Sequence, residues 1–373
     1  MILNALSAAS FFYLAFVLLL KSKATNTLAN RWLVFFIINV GFLQLDDVMY
    51  MGHIYYDYPH LFNVLDPFIF CVAPSFYWAV YHFVQPERRF LWKSIWHLSP
   101  SILIFLLSVP AFLASKAEKL EMIKTIEKDG SSLDSVEIVF FGILFGQCIM
   151  YLVLSYFKMR QHQRNLQMVS SNNADTDLGW LRNFLIGIVV LLVLWMIEII
   201  FYADFLGGEM SLGYLIGAYL LGYFATRQKE IYPFPPQELQ AIAAIIQENP
   251  PVSKAEVQVD EAQKLRLIAL MTDEKPYLDA ELNLPKLAQL MHCSTHELSH
   301  LINQGFQRNF YHFINAYRIE ESKRMLSDPE WEHLTILAIG FEAGFNSKTT
   351  FNTTFKQLVG MSPLEFRKRE LMA

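Results

Sequence analysis

Seven apolar stretches fill the first 225 residues, at roughly 2–20, 32–51, 63–84, 94–114, 136–157, 183–203 and 211–225. Each is near the ~20 residues that a helix needs to cross a bilayer. Inside a bilayer no water satisfies backbone N–H and C=O groups, so such segments are restricted to helices or closed barrels, and runs this long are helices. At 54% hydrophobic, the chain is too apolar for an ordinary soluble protein, and a membrane accounts for the excess. The sixth stretch, LIGIVVLLVLWMIEII, is too apolar for a surface helix. The first lacks a basic segment before it; Lys21 and Lys23 follow its apolar part, so it is read as a retained helix and not as a cleaved signal.

Positive charge orients the bundle. Lys21, Lys23, Arg31, Arg88, Arg89, Lys93, Lys158, Arg160, Arg164, Arg182, Arg227 and Lys229 flank alternate connections, twelve on one side. The other side has four, Lys116, Lys119, Lys124 and Lys128, all in one long loop between the fourth and fifth helices. The bias puts the N-terminus outside and the C-terminus in the cytoplasm, as in a multi-pass membrane protein.

Asp46, Asp47, Asp66, Glu198 and Asp204 then fall at a similar outer level, with His53, Asp57, His60 and Glu209 in or near the adjoining loops. Ionisable groups are costly at the bilayer centre and cheaper toward its surface. Two readings stand side by side: solvated helix ends, or an outward-opening pocket rimmed by Tyr50, Tyr77 and Tyr202. Such a pocket, with Asp46, Asp47, His53, Asp66, Glu198 and Asp204 as its candidate residues, would take a cationic or polar ligand or respond to protons.

Other classes fit poorly. Cys71, Cys148 and Cys293 are far apart and lack metal-like spacing with histidine, so neither a disulfide, a metal nor another cofactor is expected. The seventh stretch, SLGYLIGAYLLGYFA, has no lysine for a retinal Schiff base, and neither an inverted repeat nor paired broken helices suggest a transporter. Adjacent Asp46 and Asp47 would point to different helix faces, which is wrong for a proteolytic dyad. No enzyme chemistry is implied.

From Arg227 to about Asp260 the composition changes. Pro233, Pro235 and Pro236, then Pro250 and Pro251, bracket a short helix with Leu239, Ile242 and Ile246 on one face. Residues 261–273 form another amphipathic helix, with Leu265, Ile268 and Met271 or Thr272 as its inner face.

The stretch from Leu284 to Arg369 reads as two helix-turn-helix units joined by one long helix. In the first unit Leu284, Leu287, Ala288 and Met291 recur at helical spacing, and the turn falls at His292 and Cys293. Ser294 and Glu297 form a capping box that starts the second helix. There Leu298, Leu301 and Ile302 point inward, leaving Thr295, His296, Ser299, His300 and Asn303 outward. The long helix carries Phe310, Phe313, Ile314, Tyr317, Ser322, Met325 and Leu326 on one face, and Asp328-Pro329 stops it. The second unit repeats the plan with Ile336, Ile339 and Gly340, a turn at Gly344, and a cap at Asn346 or Ser347. Phe351, Phe355 and Leu358 face its core; Lys348, Thr349, Asn352, Thr353 and Lys356 stay exposed. Gly360 ends the helix, and Met361-Ser362-Pro363 with Phe366-Arg367 adds a short final one.

The segments LPKLAQLMHCSTHELSHLI, FINAYRIEESKRML, AIGFEAGFNS and TTFKQLVGMSPLEFRKR resemble the AraC/XylS family of bacterial transcription regulators over about a hundred residues. The resemblance implies binding to double-stranded promoter DNA through the ten outward residues named above, and contact with RNA polymerase. His300, Asn303 and Thr353 stand where the family commonly has arginine or lysine, so phosphate contacts are expected to be fewer. From Leu282 onward ten Lys/Arg (Lys286, Arg308, Arg318, Lys323, Arg324, Lys348, Lys356, Arg367, Lys368 and Arg369) face nine Asp/Glu. DNA affinity rests largely on neutralised phosphates, so modest affinity from one copy, raised by a homodimer or by tethering, is expected.

The sequence therefore reads as all-α: a seven-helix transmembrane sensor over 1–225, a linker with short helices over 226–275, and a cytoplasmic double helix-turn-helix domain over 276–373. Together these make a one-component regulator whose signal ligand is not identifiable. The rival is a receptor or transporter-like protein whose helical tail binds a protein partner.

Overall fold

The computed structural model describes residues 1–21, 26–85, 92–129, 135–172, 178–201, 207–228, 245 and 260–370. They are helical throughout, and the only β pairing among them is an isolated bridge between Ser170 and Asn283. The chain divides into two units, Met1–Arg160 with Leu178–Ile231, and Gln161–Asp177 with Tyr232–Ala373.

In the first unit a helix stands at each of the seven expected stretches: α1 (Ile2–Lys21), α2 (Thr27–Met51), α4 (Asp66–Val84), α5 (Ser99–Leu113), α7 (Ser135–Val169), α8 (Gly179–Phe201) and α9 (Gly207–Arg227). Two further helices lie between them, the single-turn α3 (Ile54–Asp57) and α6 (Lys116–Asp129). Among the described residues, six helical segments are both long and apolar enough to cross a membrane: Ile2–Leu20, Thr27–Met51, Pro59–Val84, Ser94–Leu113, Ile138–Val169 and Gly179–Ile200. The seventh, α9, has 21 residues but is diluted by glycine and tyrosine. It packs on α1 and α8, while α2 packs on α1 and α4. Leu33, Ile37, Ala79, Val80 and Phe83 are fully buried between helices, whereas Ile186, Val190, Val193 and Ile200 of α8 are exposed.

Two sequence expectations change here. Residues 115–135 were expected to be a loop, but most of them form α6, which packs against α3 and the 3-10 turn Pro59–Leu61. Its Ile123 is buried, and Lys119 is 2% exposed with its ammonium donating to the Phe112 carbonyl at 3.0 Å. A lysine that caps a preceding helix end is structural, and its charge says little about topology. The fifth membrane helix was expected to end near 157; α7 continues to Val169, and from Gln161 its residues belong to the second unit. The proposed 239–246 helix lies, apart from Ile245, outside the described residues.

The second unit contains α10 (Glu261–Asp273), α11 (Leu284–Leu290), α12 (Thr295–Gly305), α13 (Phe310–Ser327), α14 (Ile336–Glu342), α15 (Lys348–Val359) and α16 (Pro363–Glu370). It has two hydrophobic cores. Leu267, Met271, Leu284, Leu287, Leu298, Ile302, Phe310, Phe313 and Ile314 build one around α11 and α12. Ile339, Ala343, Phe345, Phe351, Phe355 and Phe366 build the other around α14 and α15, with Ile319, Met325 and Leu326. α13 thus gives its first half to one core and its second half to the other. The inner face of α10 is Leu267 and Met271; of the expected face Met271 is buried, whereas Leu265 is 65% and Ile268 37% exposed. The domain is also not confined to residues after 276, because α10 and Val169 of α7 help to close its first core.

Candidate nucleic-acid interface

The two expected reader helices, α12 and α15, start on side-chain caps that satisfy backbone N–H groups otherwise left free. The Ser294 hydroxyl accepts from the Glu297 N–H at 3.2 Å, and the Glu297 carboxylate accepts from the Ser294 N–H at 2.8 Å. That backbone bond holds the Glu297 carboxyl below the usual range. On α15 the cap is Ser347, whose hydroxyl accepts from the Thr350 N–H at 3.4 Å; Asn346 makes no cap. Gly344 precedes it at φ +94°, and a Cβ there would stand 2.3 Å from the Tyr277 carbonyl oxygen. Gly340 lets α14 approach α15 closely, since a Cβ would meet the Phe351 ring at 2.7 Å.

Most of the expected DNA-facing side chains are open to solvent. His296, Lys348, Thr349, Thr353 and Lys356 are exposed, and Thr295, His300, Asn303 and Asn352 are half-buried. Ser299 is the exception. It is 7% exposed and its hydroxyl accepts from Asn303 Nδ2 at 3.5 Å, because the short α12 buries Leu298, Ser299, Leu301 and Ile302 together, a wider face than the apolar spacing marks. Leu358, expected inside, is 49% exposed. It lines a cavity of about 570 Å³ with Phe306, Arg308 and Tyr317.

The positive charge available to phosphate is smaller than ten. Lys286 pairs with Asp279, Lys323 with Glu320, Arg369 with Glu370, and Arg324 with both Glu321 and Asp328. Arg367 donates to the carbonyls of Leu334, at 2.8 Å, and Glu332. Arg308, Lys348, Lys356 and Lys368 are exposed and make no ion pair among the described residues. Two of these four lie on α15.

Arg318, counted in the sequence as a surface cation, is 1% exposed. Its guanidinium donates to the carbonyls of Tyr277 (2.7 Å), Asp279 (2.9 Å) and Ser171 (3.2 Å), to the Ser171 hydroxyl (3.1 Å) and to Asn315 Oδ1 (3.3 Å). Burial pulls it down to about 10, so it stays charged near neutrality. Ser171 in turn donates to the Leu282 carbonyl at 2.6 Å, and its own carbonyl accepts from Asn315 at 3.3 Å. Below it, Lys275 and Arg324 both bond Glu321; burial pushes the Glu321 carboxyl up, and these bonds outweigh it and hold the group below the usual range. Nothing in the sequence signals these roles, since an arginine in a polar helix reads as solvated.

The expected sensor residues fall partly together, all within the first unit. Asp46, Asp47, Asp66 and Glu198 line one cavity of about 410 Å³. His53 is exposed and does not line it, and Asp204 and Tyr202 are outside the described residues. Tyr50 is exposed, and Tyr77 packs instead against Trp78, His97 and Tyr151, about eleven residues along α4 from Asp66, so neither rims the acids. Tyr214, Asn4 and Gln44 take that place, and the sequence reading missed all three.

Residues 287–369 match the family described as "Helix-turn-helix domain". Over 90 residues the chain is 31% identical to the Melibiose operon regulatory protein of Escherichia coli (strain K12), covering 24% of this chain and 29% of that protein. Over 87 residues it is 31% identical to an uncharacterized HTH-type transcriptional regulator of Staphylococcus aureus (strain COL), covering 23% of this chain and 11% of that one. The chain thus spans less than a third of the curated relatives it matches. No solved structure matches it. The class that the fold and these similarities define, over residues 287–369, is a helix-turn-helix domain. In particular, the C-terminal domain is an AraC-type helix-turn-helix domain.

Proposed function

We propose that this protein is a membrane-embedded one-component transcription regulator, which senses a signal through its apolar helices and binds promoter DNA sequence-specifically through α12 and α15. The observation that carries the reading is α13: one helix of 18 residues, about 27 Å long, supplies side chains to both helix-turn-helix cores and so fixes the spacing of the two readers. Readers at such a spacing suit successive major grooves on one face of the duplex, giving a bipartite, non-palindromic site. The relatives' names, an operon regulatory protein and a transcriptional regulator, support the same role. With few unpaired cations, specific affinity is expected to depend on confinement at the inner membrane or on a second copy.

In this reading the N-terminus is outside, the C-terminal domain is cytoplasmic, and no catalytic step is involved. The signal has a covalent route: α7 runs unbroken from the membrane-spanning segment to Val169, and the next residues, through Ser171, are held by Arg318. The test uses the full chain in lipid nanodiscs and duplexes selected from random sequence. Recovery of a two-part motif with half-sites one helical turn apart is expected; recovery of no motif would overturn the regulatory reading.

A further inference from the structure

Acidic side chains at the end of a membrane helix can be mere solvated ends, so the cavity they line must supply its own indication of an occupant. Gln44 does so. It is 2% exposed, lines the same cavity as the acids, and its Oε1 accepts no hydrogen bond among the described residues. A buried acceptor without a donor destabilises the fold, and an N–H from a ligand would remove that cost. Three of the nearby donors are committed elsewhere: Asn4 Nδ2 donates to Asp47 at 3.3 Å, Ser211 donates to Asn4 at 2.8 Å, and the Tyr55 hydroxyl donates to Asp46. No lysine, arginine or histidine lines the cavity among the described residues. Four acids and an orphan acceptor call for positive charge that carries hydrogen.

A second cavity of about 450 Å³ adjoins the first, sharing Leu43, Ile69, Trp195 and Tyr214, and the rest of its lining is almost wholly apolar. Each chamber falls within the roughly 300–1,000 Å³ of small-molecule sites. A bare metal ion does not explain the pair: among the described residues no group of three or more His, Cys, Asp or Glu could hold one, and the apolar chamber would stay idle. A carboxylate lipid or fatty acid is excluded by charge. Trp195, on the shared wall, can offer an aromatic face to a cation.

We propose that the two chambers form one binding site for an amphiphilic organic ammonium: an amine bearing at least one N–H sits among Asp47, Glu198 and Gln44, and its hydrocarbon body fills the apolar chamber. The inference rests on the membrane-sensor reading and names its ligand class.

The test is binding of dodecylammonium to the full chain in nanodiscs, followed by tryptophan fluorescence with Trp195→Phe as the blank and by the thermal unfolding midpoint. Dodecylammonium is expected to give a saturable signal and a raised midpoint; dodecyltrimethylammonium, without an N–H, is expected to bind at least about tenfold more weakly, and dodecyl sulfate to give only non-saturable partitioning. Gln44→Leu and Asp47→Asn should each weaken dodecylammonium about tenfold or more, as expected for a lost charge-assisted hydrogen bond. Gly187→Leu provides a variant at an open backbone position: Gly187 lines the apolar chamber and a Cβ there meets nothing within 4 Å. It should weaken dodecylammonium and spare butylammonium. Equal partitioning of dodecylammonium and dodecyl sulfate, unchanged affinity in Gln44→Leu, or a signal reproduced by acidification without amine would each overturn the assignment. DNA binding is read separately on the same preparation, so loss of one function leaves the other standing.

Discussion

Arg318 holds Ser171 by two hydrogen bonds, to its carbonyl at 3.2 Å and its hydroxyl at 3.1 Å, across 147 residues of sequence. The guanidinium is buried and its partners are oxygens of carbonyls, a hydroxyl and an amide, so its charge is offset by dipoles converging on it. Ser171 follows α7 by two residues, and Val169, the last residue of that helix, is fully buried in the core around α11 and α12. The end of α7, from Gln161, is therefore part of the fold of the second unit.

Replacing Arg318 by Met should strand several buried acceptors at once. With each left unsatisfied at on the order of 1 kcal/mol or more, the helix-turn-helix unit is expected to lose about 3 kcal/mol. Denaturant unfolding of the full chain in nanodiscs, followed by protease susceptibility of residues 260–370, measures it. Ser171→Ala should produce a smaller loss and, if α7 carries the signal, a promoter that no longer responds although DNA is still bound. A fully responsive Ser171→Ala protein would remove this contact from the signalling route.

Much of the second unit was legible because local chemistry and tertiary packing agree there. Ser294 and Glu297 form the expected box, Leu284, Leu287, Ala288 and Met291 are all buried, and Gly344 adopts its left-handed turn. What was not legible depends on distant partners. Ser299 and Leu358 were assigned by periodicity alone, and a short helix wedged among neighbours buries what fits and not only what repeats. Arg318 and Ser171 are joined by no local pattern. In the first unit the helices were plain from their apolar length, but Gln44 and Asn4 became visible as a site only when α1, α2 and α9 came together.

Gly344→Ala should destabilise the second helix-turn-helix unit beyond the ordinary strain of a left-handed alanine, roughly 1–2 kcal/mol, because the new Cβ would also press on the Tyr277 carbonyl from 2.3 Å. Gly360→Ala is the control: it shares the positive φ, at +84°, but meets nothing within 4 Å. Thermal unfolding should rank Gly344→Ala clearly below Gly360→Ala; equal losses would mean that Tyr277 yields freely.

Acid should loosen this unit through its caps. The backbone N–H of Ser294 bonds Glu297, the backbone N–H of Ser362 bonds Glu365, and each bond lowers the carboxyl below its ordinary 4.5. A carboxyl lowered by folding contributes stability that is complete above its unfolded value and is lost as pH falls through the folded one. The unfolding midpoint should therefore drop as pH falls below 4.5. In a Glu297→Gln, Glu365→Gln protein, whose amides keep the acceptor without the titration, the drop should be shallower. Identical pH profiles would assign acid sensitivity to other carboxylates.

Topology is decided by reporter fusions. A periplasm-active reporter is expected to work at Asp57 or Gly208 and to be silent at Gln161 or the C-terminus. The C-terminal fusion carries particular weight because, among the described residues, six segments meet the length and hydropathy of a span and α9 is not one of them. Were α9 to lie outside the bilayer, the parity would change and the termini would share a side. Activity at the C-terminus would then separate the helix-turn-helix unit from DNA and sink the regulatory reading.

The last expectation concerns how bases are told apart. Outward residues near the start of a reader helix reach furthest into the major groove: Thr295, His296 and His300 on α12, and Lys348, Thr349 and Asn352 on α15. Asparagine can bond adenine through two hydrogen bonds, a pairing worth about 1–3 kcal/mol of discrimination. Asn352 is half-buried against its own domain, which limits its rotamers before DNA arrives, and this favours a fixed base contact over a mobile phosphate contact. Lys356 is exposed and unpaired among the described residues, the state expected of a phosphate contact. Asn352→Ala should therefore relax preference at one or two base positions of the selected duplex, while Lys356→Ala should weaken every sequence alike and reduce the salt slope by about one. Titrations of the full chain in nanodiscs against single-base variants, at several salt concentrations, separate the two. If Asn352→Ala and Thr349→Ala lowered affinity uniformly and left every base preference intact, α15 would be a backbone clamp, and sequence reading would have to come from α12 alone.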